Sequence, residues 1–309
     1  MSSFTPQVIV LIGATASGKT ELAIEIADYF KIRIHNIDSR QIYKSMDIGT
    51  AKPSNIDLKS TKHYLIDKIE PNKNYNVSKF CSDVSLSIRA IISNNKYPLI
   101  VGGTMMYVYQ LLNGLTHDYN LIKSDSDLIK YILGKYTYEE IYNAFKSDTS
   151  IPVEKINCND KYRIEKLLER SIANHNICTK FTGLYNQKNI KINLIFIDIK
   201  DRNLLRESIS KRTEEMLRRG LVKEVQQLIT KYNLTEDSQS MKAIGYKETI
   251  DYLNHNIDLN TLGETISIST QQLAKRQITW KNKFKINFTV DYPQIDYDDL
   301  SKFVINSLN

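Results

Sequence analysis

The sequence predicts an α/β fold, a mainly parallel sheet flanked by helices and interrupted once by a helical insertion. Three observations predict it. Short apolar runs rich in β-branched residues, each closed by glycine or a turn, alternate with amphipathic helical stretches. A glycine-rich turn lies between the first run and the first helix. A polar, tyrosine-rich, helix-patterned stretch separates the early strands from a late one.

QVIVLI (7–12) ends at Gly13 and reads as a buried first strand. From Lys19 to Phe30, apolar Leu22, Ala23, Ile26, Ala27 and Phe30 recur at helical spacing. IRIHNI (32–37) alternates as a second strand, Ser78 to Asn94 reads as a helix, and YPLIV (97–101) as another buried strand. Gly102 and Gly103 end that strand before a helix from about Thr104 to Asn113. After His117 the character changes: YEEIYNAF and YRIEKLLERSI are helix-like, and no strand is evident until NLIFIDI (193–199). The expected organisation is a catalytic core of 1–117 and 190–309, with 118–189 inserted as a helical unit.

The 309 residues suit one large domain or two modest ones. No apolar run approaches the length a membrane helix needs, about 18 to 20 residues. The start, MSSFTPQVIVLIG, has no basic segment before its apolar stretch, so no secretory signal is expected. Cys81, Cys158 and Cys178 are odd in number and far apart, which points to a reducing compartment rather than disulfides or a metal cluster. The net charge of +7 favours polyanionic partners, although a Lys-, Asn-, Ile- and Tyr-rich composition can produce it without any.

Gly13-Ala14-Thr15-Ala16-Ser17-Gly18-Lys19-Thr20 fits G-x-x-x-x-G-K-T between a strand and a helix. Glycines let backbone N–H groups turn inward around phosphate oxygens, and the helix directs its positive end at the same point. Lys19 adds a cation, and the Thr20 hydroxyl can bind Mg²⁺ or a phosphate oxygen. The pattern marks a P-loop NTPase-like core and a diphosphate-bearing ligand without saying which ligand. A kinase or nucleotide hydrolase usually adds an acidic residue at a strand end to organise Mg²⁺. Asp198 is a candidate for that role, but acidic residues often close strands.

Asp38-Ser39-Arg40-Gln41-Ile42-Tyr43 follows the second strand, and Met46-Asp47-Ile48-Gly49-Thr50-Ala51-Lys52-Pro53 comes next. Strand carboxyl ends face the ligand crevice in such sheets, which puts Asp38 near the loop. A carboxylate there suits a general base or a metal ligand. Equally, Asp38 and Ser39 could cap a helix.

Together these segments resemble the tRNA dimethylallyltransferase (tRNA isopentenyltransferase) family. GATASGKT is similar to its GPTASGKT, with Ala14 in place of proline, and DSRQIY with MDIGTAKP is similar to its second motif. KHYLID (62–67), YNVSKF (75–80), GGTMMY (102–107), KRTEEMLRRGLVKEV with Arg212 and Met216, AIGYKE (243–248) and AKRQITW (274–280) match further motifs in the family's order.

The resemblance implies transfer of a dimethylallyl group from dimethylallyl diphosphate to the exocyclic amine of an adenosine in tRNA. That adenosine lies just 3′ of the anticodon in tRNAs reading codons that begin with U. It implies Asp38, Thr20, Arg212 and Thr104 as the catalytic set and Gly13 to Thr20 as the diphosphate cradle. It implies Mg²⁺ as cofactor with Thr20 as its ligand. Asp38, Ser39, Arg40, Gln41 and Thr104 would grip the flipped-out nucleotide. Lys130, Tyr162, Arg163, Lys166, Lys275 and Arg276 would contact the rest of the anticodon stem-loop. A monomer acting in the cytoplasm, away from membranes, completes the expectation.

Lys275, Arg276, Lys281, Lys283 and Lys285 surround Trp280 with no acid between them, which suits either an RNA backbone or a solvated helix face. The family's Q-R-x-x-R run stands here as Tyr162-Arg163-Ile164-Glu165-Lys166, and its W-F-R as Trp280-Lys281-Asn282. Lys130 matches a family arginine only loosely. The rival readings are an ATP-dependent small-molecule kinase, an RNA-binding protein without catalysis, and a prenyltransferase acting on free adenine nucleotides.

Overall fold

The computed structural model of the protein describes residues 6–115, 118–119, 121–147, 153, 156–173, 177–178 and 181–308. The leading MSSFT, the expected boundary at His117 and the Cys178 side chain lie outside the described residues. Cys81 is buried and Cys158 exposed, and neither is in a disulfide. No described helix is long and apolar enough to cross a membrane.

The unbroken apolar run at the start forms β1 (Gln7–Gly13), with all seven residues buried. Its alternation sends Ile9 and Leu11 to one face of the sheet and Val8, Val10 and Ile12 to the other. α1 (Lys19–Phe30) starts from Gly18 at φ 72° and buries Leu22, Ala23, Ile26 and Ala27. A side chain at Gly18 would also meet the Tyr292 ring, 2.8 Å from its Cβ. Then follow β2 (Arg33–Asn36), α2 (Asn55–Ser60), β3 (His63–Tyr64), α3 (Val77–Ile92), β4 (Pro98–Gly102) and α4 (Met105–Asn113). The Asn76 side chain accepts from Lys79 N–H and opens α3.

The chain next runs through β5 (Gly114–Leu115), β6 (Asp118–Tyr119), α5 (Lys123–Lys135), α6 (Tyr138–Ser147), α7 (Lys161–Ile172), β7 (Ile177–Cys178) and β8 (Phe181–Thr182). β6 and β7 pair antiparallel over two residues, a ladder too short to leave an alternating pattern in the sequence. The final stretch comprises β9 (Lys191–Asp198), α8 (Arg202–Arg218), α9 (Leu221–Tyr232), α10 (Tyr246–Leu253), α11 (Leu259–Trp280), β10 (Phe288–Asp291) and α12 (Tyr297–Leu308).

Six strands form one sheet in the order β10-β9-β1-β4-β2-β3. Every pairing in it is parallel. This is the P-loop NTPase-like fold. On one face, Ile9, Leu11, Ile34, Leu99, Val101, Ile195 and Ile197 pack with Leu22 and Ile26 of α1 and with Leu300 and Val304 of α12. Such burial contributes about 1.5–3 kcal/mol per large side chain. β1 lies at the centre with its carboxyl end turning into the glycine-rich loop. The carboxyl ends of β2 and β4 open on the same edge, as parallel pairing dictates.

The chain divides into two compact units, one of residues 1–114 and 182–309, the other of residues 115–181. The sheet belongs to the first. Within the second, Asp160 caps α7 by accepting from Arg163 N–H, and Ile164 and Leu168 of that helix are buried.

Candidate functional site

A cavity of about 500 Å³ opens at the carboxyl edge of the sheet in the larger unit. Thr15, Lys19 and Thr20 line it from the loop and α1, Asp38 to Gln41 from the turn after β2, and Gly102 to Met106 from the end of β4. Gly49 to Ala51, Arg212 and Met216 of α8, and Arg276, Gln277 and Trp280 of α11 add to the wall. Residues far apart in sequence thus meet in one place because their parallel strands share an edge.

The electrostatics concentrate cations. Burial, reinforced by Arg212, lowers the pKa of Lys19 to about 7, against the pull of Asp38 and Glu21. Burial also lowers that of Arg212, while Asp38 and Glu21 raise it. Two cations packed together beside a phosphate-type loop form a place that favours an anion. Lys19 Nζ donates to the Ala14 carbonyl and lies 3.4 Å from Ser17 Oγ, so the lysine folds back over the loop.

Asp38 is not a helix cap. A run of turns follows it, and its Oδ1 accepts from Arg40 N–H at 2.8 Å and Gln41 N–H at 3.3 Å. These bonds fix the carboxylate on the cavity wall. Thr104 occupies the N-cap position of α4 without making a capping bond. Its Oγ1 accepts from Ser39 N–H at 3.1 Å and lies 3.4 Å from Ser39 Oγ, which joins the β2 and β4 ends. Arg40 Nη1 donates to the Gln239 carbonyl at 2.7 Å. Gln41 Nε2 donates to the carbonyls of Thr50 (3.1 Å) and Ala51 (3.2 Å), so its amide holds the following loop in place.

Of the loop residues, Thr15, Lys19 and Thr20 reach the cavity wall, while Gly13, Ala14, Ala16, Ser17 and Gly18 form the turn behind it. Among the described residues, Asp38 is the only carboxylate on that wall, and no cluster of three or more His, Cys, Asp or Glu exists. This donor set fits a divalent cation that draws most of its oxygens from a bound diphosphate and water, with Thr20 adding a hydroxyl. Asp198 is engaged elsewhere: Lys281 Nζ lies 2.7 Å from its Oδ2.

In the basic segment, Lys275, Arg276, Lys283 and Lys285 are exposed. Lys283 lies over the Trp280 ring at 4.2 Å, and Lys281 is the member paired with Asp198. In the smaller unit, Lys130, Tyr162, Arg163 and Lys166 are exposed. Arg163 Nε lies 3.2 Å from Asp160, and Lys166 pairs with Glu169 at 2.5 Å. Glu165, at a position the family's Q-R-x-x-R run leaves open, accepts a hydrogen bond from the Tyr138 hydroxyl.

Sequence reading missed three supporting side chains. Glu224 of α9 accepts from the N–H groups of Asp47 (3.0 Å), Ile48 (2.7 Å) and Gly49 (3.2 Å) and from the Tyr246 hydroxyl (2.7 Å). Lys52 is buried, with Nζ held by Asp47 (2.5 Å), Asp67 (2.6 Å) and the Tyr43 carbonyl (3.0 Å). Gln277 bridges Thr15 N–H and the Gly103 carbonyl. A signal existed for the last: a glutamine stands on the stripe of α11 that buries Leu262, Ile266 and Ala274.

Comparison with known proteins shows the family. A family model described as IPP transferase matches residues 41–284, and one described as isopentenyl transferase matches residues 6–74. The chain is 42% identical over 286 residues to a tRNA dimethylallyltransferase of Prochlorococcus marinus (strain MIT 9312), covering 92% of each. It is 34% identical over 318 residues to one of Thermoanaerobacter sp. (strain X514), covering 98% of this chain and 97% of the relative. A tRNA delta(2)-isopentenylpyrophosphate transferase structure from Staphylococcus epidermidis superposes with a TM-score of 0.70 at 30% identity, covering 98% of this chain and all of that one. A eukaryotic dimethylallyltransferase structure shares the fold with a TM-score of 0.78 at 22% identity, covering 98% of this chain and 80% of that one. With the loop, the aspartate turn, Arg212 and Arg276 meeting at one cavity, and with matches of this extent, the chain belongs to the IPP transferase family.

Proposed function

We propose that the protein is a tRNA dimethylallyltransferase. It moves the dimethylallyl group of dimethylallyl diphosphate to the exocyclic amine of the adenosine 3′-adjacent to the anticodon, in tRNAs reading codons that begin with U. The observation that carries this reading is the meeting of Lys19, Thr20, Asp38, Thr104 and Arg212 on one cavity wall.

In this reading the allylic carbon–oxygen bond breaks, and its electron pair leaves on the diphosphate. The loop N–H groups, Lys19 and Arg212 take up that negative charge as it develops. The adenine amine is a poor nucleophile because its lone pair is delocalised into the ring. It forms the new carbon–nitrogen bond as Asp38 accepts its proton, help worth about 10²–10⁴ in rate. Ser39, Arg40, Gln41 and Thr104 present hydrogen-bonding groups to the extruded base. Mg²⁺, held by the Thr20 hydroxyl together with the diphosphate, would supply further charge neutralisation when bound.

The smaller unit, with Lys130, Tyr162, Arg163 and Lys166, is assigned to the anticodon stem, and Lys275 and Arg276 to the backbone near the cavity mouth. The enzyme acts as a monomer in the cytoplasm. The test is incubation with dimethylallyl diphosphate and unmodified tRNA, followed by mass spectrometry of the digested nucleosides. Prenylated adenosine from tRNA, but not from AMP, is expected. ATP turnover on small acceptors without prenylation would point to a kinase instead.

A further inference from the structure

We infer that Gln277 is a positioning residue that holds the diphosphate loop in register with the turn bearing Asp38, an inference that rests on the prenyl-transfer reading. The side chain is only 6% exposed, and both ends of its amide meet backbone. Oε1 accepts from Thr15 N–H at 2.7 Å, and Nε2 donates to the Gly103 carbonyl at 2.8 Å. Thr15 belongs to the loop after β1. Gly103 directly precedes Thr104, whose hydroxyl accepts from Ser39 N–H at 3.1 Å, one residue beyond Asp38. One carboxamide on α11 therefore ties the ends of β1 and β4 together and, through Thr104, reaches the turn after β2.

The surroundings are shaped for this amide. A Cβ at Gly103 would lie 2.5 Å from Nε2, so glycine is what admits it. An aliphatic side chain could fill the space but would leave the Thr15 N–H of the loop unpaired and would take from the Gly103 carbonyl the second of its two bonds, the one from Met105 N–H at 2.9 Å remaining. A carboxylate could accept from Thr15 but could not donate to Gly103. The requirement for one donor and one acceptor is a requirement of registry. Registry matters because the leaving diphosphate and the amine's proton acceptor sit on different strands, and a misplacement of about 1 Å can cost about 10² in rate.

The experiment compares Gln277→Met and Gln277→Glu with the wild type. It measures single-turnover prenyl transfer to tRNA, binding of inorganic diphosphate, and thermal melting. Gln277→Met should transfer about 10- to 100-fold more slowly, with diphosphate affinity within about threefold and a cooperative melt. In Gln277→Glu the protonated carboxyl can both accept and donate, whereas the ionised one cannot donate. Its rate relative to wild type should therefore climb as pH falls from about 8 to about 5.5, which a space-filling role would not produce. Wild-type rate in Gln277→Met, a rate loss matched by equal loss of diphosphate binding, or a pH-independent ratio for Gln277→Glu would overturn the inference. Absence of transfer by the wild type would instead overturn the underlying reading of function.

Discussion

Lys19 connects burial to chemistry most directly. With its pKa lowered to about 7, first by burial and then by Arg212, it is half-neutral near neutral pH before any ligand arrives. A bound diphosphate stabilises the ammonium form, so binding above pH 7 takes up a proton. Affinity should then fall as pH rises above about 7, by up to about tenfold per unit. Lys19→Met should lose that dependence and keep only the ligand's own titration. Calorimetry in buffers of different ionisation enthalpy measures the uptake, and none at pH 8 in the wild type would contradict this account. Arg212 offers a complementary case. Its guanidinium lines the cavity, where the proposed mechanism has the leaving group's charge develop, so Arg212→Met should lower the transfer rate by about 10²–10³. A smaller loss in rate than in tRNA affinity would move Arg212 from the chemistry to the acceptor.

At the scale of elements, helices outside the sheet brace the loops that form the cavity. α9 does so through Glu224, whose carboxylate gathers three consecutive N–H groups of residues 47–49 and the Tyr246 hydroxyl. Gly49, Thr50 and Ala51 of that loop line the cavity, and Gln41 is bonded to it. Glu224→Ala should cost about 1.5–3 kcal/mol of stability, the range for charge-assisted hydrogen bonds, and should weaken acceptor binding more than diphosphate binding. Chemical denaturation and the two affinities check this; equal weakening of both would show that the brace serves the whole cavity rather than the acceptor side. β1 provides the rigid counterpart. Val8 to Ile12 have no exposure, so truncating Leu11 to alanine should cost about 2–5 kcal/mol.

For the whole molecule, the parallel sheet, its glycine-rich first turn and the Asp38 turn were legible in the sequence. Each is written in a contiguous pattern: an apolar run, a glycine spacing, a polar cluster after a strand. β3 and β10 were not legible, because a two-residue edge strand and a four-residue one with a single buried side chain carry no readable alternation. Glu224, Lys52 and Gln277 stood inside recognised motifs without a role. Glu224 and Gln277 act on partners 176 and 262 residues away, which local spacing cannot reveal. The basic segment was legible as charge but not as partnership. Lys281 is engaged by Asp198, so neutralising Lys275, Arg276 and Lys285 together should flatten the salt dependence of tRNA binding more than Lys281→Gln does. Filter binding across ionic strength decides this, and equal slopes in the two variants would remove the assignment.

The central claim is that the Asp38 carboxylate takes the proton of the attacking amine at a cavity where the diphosphate departs. Its most direct test is single-turnover transfer by Asp38→Asn with saturating tRNA and dimethylallyl diphosphate. The account predicts a rate lower by about 10²–10⁴ with both ligands still bound. A rate within a few-fold of wild type, with both ligands bound, would contradict it.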